Sequence, residues 1–277
     1  MGLKALDLRD WIEVDDQFAA QLAERRRLLR DRREDVLAAL PGSEAGQEEV
    51  LELLLDHLPA RFPEIYRRSP GAIENLVTGE RFPTPEFGKI ELAGRLVQED
   101  LCLMSAWENG YRLVAGVLCF PSHWRLADKL GRPLMAIHEP VPGFAKRLGP
   151  PVDRFFESLR PERPVWRANW SLVDTPELFL APEHRGHPRP VSAEDAGERL
   201  WLRVERQTLR RLPSSGDVLF TIHTHVAPLA EALRTPAAAV ALAARVRDLP
   251  EDLARYKSIA PIRAPLLAWL ERRAAEG

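Results

Sequence analysis

At 277 residues, the chain is long enough to bury a sizeable core, as one large domain or two small ones. Its 39 basic and 41 acidic residues give a net charge of −2, which argues against general nucleic-acid binding because that function needs a basic excess. With 45% hydrophobic and 29% charged residues, the composition is that of an ordinary globular protein and not of a disordered or fibrous one.

The N-terminus and the cysteines bear on where the protein works. The opening residues, MGLKALDLRDW, lack the long apolar stretch of a signal peptide, so we expect none. No segment approaches the ~18 uninterrupted apolar residues that a membrane span needs. Cys102 and Cys119 lie in apolar, strand-like segments and fit neither a metal-ligand spacing nor a disulfide framework. We therefore expect a cytoplasmic protein with two reduced, buried thiols.

The first third of the sequence predicts helices. Apolar residues recur at helical spacing over residues 15–40, and a second helical segment, EEVLELLLDHL, follows the chain break at PGS. The first apolar face consists of Phe18, Leu22, Leu29, Val36 and Leu40. We predict a helical N-terminal extension over about residues 1–85.

From about residue 90 the pattern changes to strands. The segments LVQEDLCLMSAW and YRLVAGVLCFP flank Asn109–Gly110, a strong signal for a hairpin turn. Short helices and loops follow, and then come three strands: PVWRANWSLV, LWLRVERQTLRRL and DVLFTIHTHV. The last two are joined by PSSG, which predicts a second hairpin. Helices close the chain from about residue 232.

Two strands, a helical crossover and three further strands are compatible with one antiparallel sheet that carries helices against one face. This is the order found in PAS-like sensor domains, where a ligand lies between the sheet and the crossover helices. We therefore predict an α+β fold: a PAS-like antiparallel sheet with crossover helices, flanked by N- and C-terminal helices. We expect a single domain over residues 1–277, with a C-terminal helical extension over about residues 232–277.

Several familiar catalytic motifs are missing from the sequence. It contains no GxxxxGK[ST], no GxSxG and no HExxH, which weakens kinase, esterase and metalloprotease interpretations.

The strand LWLRVERQTLRRL has two different faces at a period of two residues. One face carries Leu200, Leu202 and Val204, and the other carries Trp201, Arg203, Glu205 and Gln207. The polar face either turns to water or lines a polar pocket. In a pocket, Glu205 would be a buried carboxylate able to hold a cation or relay a proton.

Three histidines are candidate ligands. His223 and His225 share one face of the partner strand and can ligate one zinc or iron ion, but no third ligand lies nearby at a recognised spacing. Half-exposed strand histidines are the simpler interpretation. His138 lies in RPLMAIHEPVPGF, where the prolines stiffen the loop and lower the entropic cost of presenting an imidazole. From the residues alone, His138 is either a buried hydrogen-bonding residue or a presented ligand.

Several long segments together resemble the haem-dependent oxidative N-demethylase family. They are VQEDLCLM, CFPSHWRLADKLGRPLMAIHEPVPGF, WRANWSL and LRVERQTLRRLPSSGDVLFTIHTHV, with GLKALDLRDWIEVDDQF and HLPARFPEIY nearer the start. The resemblance covers nearly the whole chain in the family's order, and RVERQTLRRLP and IHEPVP are its most specific parts.

The resemblance implies a PAS-like fold that binds haem b and acts as an enzyme. The implied reaction is the oxidative removal of a methyl group from a small secondary amine, dimethylamine, which gives methylamine and formaldehyde. Dioxygen is the oxidant, and the electrons come from separate flavin and iron–sulfur partner proteins. This agrees with the sequence, in which two cysteines are too few for a conventional four-thiolate cluster.

The resemblance also implies roles for individual residues. His138 lies in the crossover between the second and third core strands, where PAS haem proteins supply their axial histidine, and becomes the predicted ligand of the haem iron. Lys129, Arg132 or Arg167 is expected to neutralise the haem propionates, because carboxylates need cationic or hydrogen-bonding partners.

For the substrate, Glu205 is suited to hold an alkylammonium ion, with Arg206 or Gln207 assisting dioxygen or proton delivery. A second hypothesis is a haem-binding sensor or binding protein of PAS type that never turns over. A third is a metal-dependent hydrolase that uses His223 and His225. An absorption spectrum of the purified protein, before and after reduction and amine addition, separates these hypotheses.

Overall fold

The structure is a computed structural model that describes residues 2–84, 88–108, 110–144, 149–185 and 190–276. Its strands are β1 (Lys4–Ala5), β2 (Leu37–Ala39), β3 (Tyr66–Ser69), β4 (Ala72–Asn75), β5 (Glu80–Pro83), β6 (Asp100–Trp107), β7 (Gly110–Val117), β8 (Val165–Val173), β9 (Trp201–Arg211) and β10 (Val218–Pro228). Its α-helices are α1 (Phe18–Asp31), α2 (Arg33–Val36), α3 (Glu44–Arg61), α4 (Lys89–Leu96), α5 (Leu134–Ile137), α6 (Gly149–Ser158), α7 (Ala196–Arg199), α8 (Leu229–Ala232), α9 (Pro236–Arg247), α10 (Glu251–Tyr256) and α11 (Arg263–Ala275).

Seven strands form one antiparallel sheet in the order β1-β8-β9-β10-β6-β7-β2. β6 and β7 form one hairpin and β9 and β10 form another, and β10 also pairs with β6. The predicted order of two strands, a helical crossover and three strands is therefore confirmed, as are both hairpins, although Asn109 itself lies outside the described residues. The fold is mixed α and β, as predicted.

The two faces of this sheet are covered by different parts of the chain. One face, which we call the crossover face, packs against α5, α6 and the loops around them; the other, the N-terminal face, packs against α1, α3 and α4. The crossover face includes Cys102, Met104, Arg167, Asn169, Arg203, Glu205, Gln207, Leu209, Val218 and Phe220. The N-terminal face includes Leu101, Leu103, Arg206, Thr208, Leu219, Thr221 and His223.

The N-terminal third is less helical than predicted. The first helix ends at Asp31, and after the short helix α2 the chain forms β2, which pairs with β7 at the edge of the large sheet. Edge pairing satisfies backbone groups of β7 that a continued helix would leave open, and this outweighs the helical spacing of the sequence. Residues 66–83 form a separate three-stranded sheet, in which Gly71 and Gly79 adopt positive φ at the turns.

The C-terminal helices pack around the end of the sheet. A cluster of buried apolar side chains from α7, α8, α9 and α11 closes over Leu172 at the end of β8, and the Trp269 ring lies against Gly197. Within the described ranges, no helix is both long and apolar enough to cross a bilayer.

A buried ion pair joins helix α1 to the sheet. Arg25 and Asp100 are both 0% exposed, and the Arg25 Nη1 donates to Asp100 Oδ1 over 2.7 Å. Asp100 also accepts the backbone N–H groups of Cys119 and Phe120, at 2.7 and 2.9 Å, while Arg25 Nε donates to the Gly94 carbonyl. Every bond of this network crosses between elements, so it sets the position of α1 over the N-terminal face.

Gly94 sets the distance between α4 and the sheet. A Cβ at this position would lie 2.7 to 2.9 Å from the side-chain carbons of Val117, which is fully buried and β-branched. We expect Gly94→Ala to lower the free energy of unfolding by about 1–2 kcal/mol, because overpacking outweighs the gain of up to about 1 kcal/mol in helix propensity. Urea unfolding measures this change in the free energy of unfolding. The control is Gly88→Ala, because a Cβ at Gly88 would meet no atom of the described residues within 4 Å.

Candidate functional site

His138 is held by a specific local structure in the crossover. It follows helix α5, and its backbone N–H and its ring Nδ1 both bond to the Leu134 carbonyl oxygen, at 3.2 and 2.9 Å. Because a carbonyl only accepts, Nδ1 carries the proton and Nε2 keeps its lone pair. Among the described residues, Nε2 has no hydrogen-bond partner. The ring stacks on Phe144 with the centroids 4.4 Å apart, which fixes its orientation.

The surroundings keep this imidazole neutral. Burial lowers the pKa of His138, and the positive charges of Lys129 and Arg167 lower it further, against the opposing effect of the Leu134 carbonyl. A neutral, half-buried imidazole with its proton on Nδ1 and a free Nε2 is the form in which histidine ligates a metal.

Glu205 forms the centre of a polar network on the same face of the sheet. Its Oε2 accepts bonds from Gln207 Nε2 at 2.9 Å and from Asn169 Nδ2 at 3.4 Å. Its Oε1 lies 3.9 Å from Nε of Arg203, whose two terminal nitrogens donate to the carbonyls of Phe120, Pro121 and Leu178. The carboxylate is 8% exposed and is thus an almost fully desolvated charge.

Two partly buried cations lie beside this network. Burial lowers the pKa of Arg167 and of Lys257, and the charge of Glu205 opposes the shift in both. Nε of Arg167 is buried without a hydrogen-bond partner in the described part of the chain, while Lys257 Nζ donates to the Trp170 carbonyl at 2.6 Å. Arg167 acts electrostatically on both His138 and Glu205, so the two predicted site residues belong to one region.

This region also keeps some access to solvent. Gln207 and Phe220 lie within β9 and β10, two strands with neighbours on both sides, yet both side chains remain partly exposed. The described crossover elements therefore do not fully cover this face. A planar cofactor that has a metal ion at its centre and anionic groups at its edge fits the described residues, since His138 Nε2 and Arg167 Nε have no partner among them and Lys257 adds a second cation.

The other predicted site residues have different positions. Arg206 follows Glu205 in the strand and so points to the N-terminal face, where it bonds to the carbonyls of Asp10 and Trp11 and pairs with Glu13 at 3.0 Å. The structure does not bring it together with Glu205 and Gln207. Lys129 Nζ donates to the Ile137 carbonyl at 2.7 Å, and the exposed Arg132 lies 3.7 Å from Glu139.

His223 and His225 belong to a second cluster on the N-terminal face. The prediction of two half-exposed histidines is wrong for His223, which is 0% exposed. His223 bonds through Nδ1 to Glu99 and through Nε2 to Asp15, each at 3.2 Å. Burial alone would lower its pKa, but these two hydrogen bonds outweigh burial and raise the pKa to about 10.

Sequence reasoning missed several residues of these two groups. Asn169 lies within WRANWSL, one of the segments that carry the family resemblance, so that segment was a usable signal. Lys257 lies in a helical stretch with no chemical motif, and Glu13 and Asp15 lie about 200 residues from the histidines that they contact. No spacing rule connects residues so far apart.

Along the crossover face, the described residues include a neutral histidine whose Nε2 has no partner among them, a buried carboxylate and two partly buried cations. This arrangement is suited to a ligand with polar or anionic edges. The family model described as "Haem-dependent oxidative N-demethylase, alpha subunit-like" matches residues 2–267. The chain belongs to this family, as the sequence predicted, and the family's description ties it to haem and to oxidative N-demethylation.

Proposed function

We propose that this protein binds haem b in a PAS-like domain and oxidatively N-demethylates a small secondary amine of the dimethylamine type. The cofactor would lie over the crossover face, between the sheet and α5. The order of two strands, a helical crossover and three strands supports the PAS-like assignment. The family description supports the haem and the class of reaction.

One observation carries the proposal: the bond from His138 Nδ1–H to the Leu134 carbonyl, which leaves Nε2 of a neutral ring without a partner among the described residues. Haem iron takes a histidine nitrogen in this state, and a carbonyl partner on the other nitrogen both orients the ring and raises its basicity as a ligand. His138 is therefore the residue proposed to ligate the haem iron.

Among the basic residues, Arg167 is the best partner for a haem propionate, with Lys257 as the second. Both are partly desolvated, and Nε of Arg167 lacks a partner among the described residues, so a carboxylate would complete its hydrogen bonding. Lys129 and Arg132 already have partners near His138, so we give them the lesser role of holding the crossover.

Glu205 and Gln207 are proposed to bind the substrate. The Glu205 carboxylate, which the nearby cations hold in its buried position, offers an alkylammonium ion a negative charge to pair with, and the Gln207 amide keeps Glu205 in place over 2.9 Å. Bound haem would supply the activation of dioxygen. In the overall reaction, the N-methylamine, dioxygen, two electrons and two protons give the demethylated amine, formaldehyde and water. The electrons are proposed to come from flavin and iron–sulfur partner proteins.

The test is haem reconstitution followed by turnover. The chain should take up one haem per molecule with a Soret band, and, with dioxygen and a chemical or enzymatic electron donor, release formaldehyde from dimethylamine. A panel of larger N-methylamines defines the substrate range. No Soret band would refute haem binding; a full Soret band without formaldehyde from any amine would instead identify a haem-binding protein that does not turn over.

We expect Glu205→Gln to keep haem and fold but to lower amine affinity about 10- to 100-fold, because a desolvated charge-assisted contact is worth about 1.5–3 kcal/mol. The measurement is the amine-induced change in the haem spectrum. Glu198→Gln, an exposed carboxylate that precedes the same strand, is the control. Unchanged amine affinity with a lower melting temperature would show that Glu205 only balances the charge of Arg203.

A further inference from the structure

Four side chains from opposite ends of the chain meet on the N-terminal face, away from His138 and Glu205. Asp15 Oδ2 lies 3.2 Å from His223 Nε2 and 3.3 Å from His225 Nδ1, and Glu13 Oε2 lies 3.4 Å from His225 Nε2. Ligand atoms of Glu13, His223 and His225 all lie within 4.8 Å of one another. The two imidazole rings stack with their centroids 4.4 Å apart.

Three of these side chains suit a metal centre with an open position. Glu13 and Asp15 lie against opposite nitrogens of the His225 ring, so one ion can take Glu13, His223 and His225 as ligands while Asp15 lies beside it. Two imidazole nitrogens and one carboxylate oxygen are a ligand set that zinc accepts, with the fourth position left to water, whereas magnesium and calcium prefer oxygen alone.

The position of Glu99 behind His223 is an independent indication of an ion. It is 0% exposed, and its Oε1 accepts from His223 Nδ1 at 3.2 Å and from the Glu13 backbone N–H at 2.9 Å. A carboxylate behind the imidazole directs the other nitrogen, Nε2, into the cluster, which is the usual arrangement around a metal-bound histidine. Glu99 Oε2 is buried without a hydrogen-bond partner among the described residues, so the charge behind His223 is otherwise only partly compensated.

A metal ion would replace protons in this cluster. Glu13, Asp15 and Glu99 bring three carboxylates to two imidazoles, and among these described carboxylates Arg206 pairs with Glu13, at 3.0 Å. A ligating histidine is neutral, so a bound ion would displace imidazole protons and take over their role of balancing the carboxylates. The site is also reachable, because the side chains of Glu13 and His225 are 37% and 42% exposed. An ion can therefore enter from solvent and meet the fully buried nitrogen of His223.

We propose that Glu13, His223 and His225 bind one divalent transition-metal ion, zinc by its ligand preference, with Glu99 orienting His223 and Asp15 adding negative charge beside the ion. This site lies on the face of the sheet opposite to the proposed haem site, so it is a second centre. The ion would link residues 13–15 to β10 and thereby stabilise the packing of the N-terminal segment on the sheet.

The experiment uses the full-length, haem-loaded chain after treatment with EDTA and titrates it with Zn²⁺ by calorimetry. We expect one saturable site per chain. His225→Ala and Glu13→Gln each alter a partly exposed ligand and should weaken zinc binding at least 10-fold. Losing a residue that only supports a ligand typically costs about 10- to 100-fold in metal affinity, and losing a ligand itself should cost more. The control His184→Ala removes an exposed histidine outside the cluster and should leave the affinity unchanged.

Two further results separate this site from haem binding. His138→Ala should retain the zinc site, and His225→Ala should retain the Soret band. Anomalous diffraction at the zinc edge should place the ion between His223 and His225. The absence of saturable binding, equal affinity in His225→Ala and the parent chain, or an ion located elsewhere would overturn the proposal and leave a network of protonated histidines and carboxylates.

Discussion

Replacing His138 with alanine is expected to abolish the Soret band at haem concentrations that saturate the parent chain. The substitution removes the only proposed bond between the protein and the iron, so the affinity should fall by about 100-fold or more, beyond the 10- to 100-fold typical of losing a supporting residue. Titration of the haem-free chain with haem, followed by absorption, measures the loss. The fold should persist, because the His138 ring bonds only one carbonyl in the described structure.

Two histidines on the opposite face of the sheet provide matched controls for this result. His223→Ala and His225→Ala should leave haem bound, since both side chains point away from the crossover face. His138→Gly should regain the Soret band when free imidazole is added, because imidazole can occupy the vacated position. Haem retained at full affinity in His138→Ala would assign the axial ligand to another residue.

Arg25→Leu is expected to cause the largest loss of stability of any substitution considered. It leaves Asp100 as an uncompensated charge at 0% exposure, and breaking a buried pair in this way costs about 3–5 kcal/mol. Burial raises the pKa of Asp100, although Arg25 opposes that shift, so removal of Arg25 should favour the protonated acid still more. Chemical unfolding at neutral pH measures the loss in the free energy of unfolding.

Two variants show whether this loss comes from the buried charge. Arg27→Leu, two residues further along α1, breaks an exposed pair with Glu24 and should cost at most about 1 kcal/mol. The double variant Arg25→Leu with Asp100→Asn removes both charges and should recover part of the stability. If Arg25→Leu and Arg27→Leu cost the same, the buried pair does not set the position of α1.

The sequence was sufficient to predict the two hairpins because each of them is a local structure. A turn dipeptide or a short polar loop with alternating or apolar residues on each side predicts them without knowledge of the rest of the chain. Residues 37–39 were misassigned for the opposite reason. Their helical spacing is real, but the open edge of β7, almost 80 residues away, decides their conformation.

The same distinction applies to the candidate site. The alternation along β9 predicted that Arg203, Glu205 and Gln207 share a face, and the register confirms it. It equally implied that Arg206 points the other way, which the sequence-based grouping of Arg206 with Glu205 overlooked. The expected apolar face of β9 continues as Arg206 and Thr208, because Arg206 donates to the Trp11 carbonyl and Thr208 bonds to Thr221 of β10. The partner of Arg206 is distant in sequence and leaves no local signal.

The N-terminal segment also determines when this protein can finish folding. Several of its polar contacts join residues 10–21 to residues 206–224, with Gln21 bonding to the Thr224 carbonyl across 203 positions. β10 lies between β9 and β6, so the large sheet is complete only after residue 228 has been synthesised. Until then, helices α1 and α3 lack part of the sheet surface against which they pack. Such a chain closes its longest loops last, folds slowly for its size, and depends on protection of the nascent chain against aggregation.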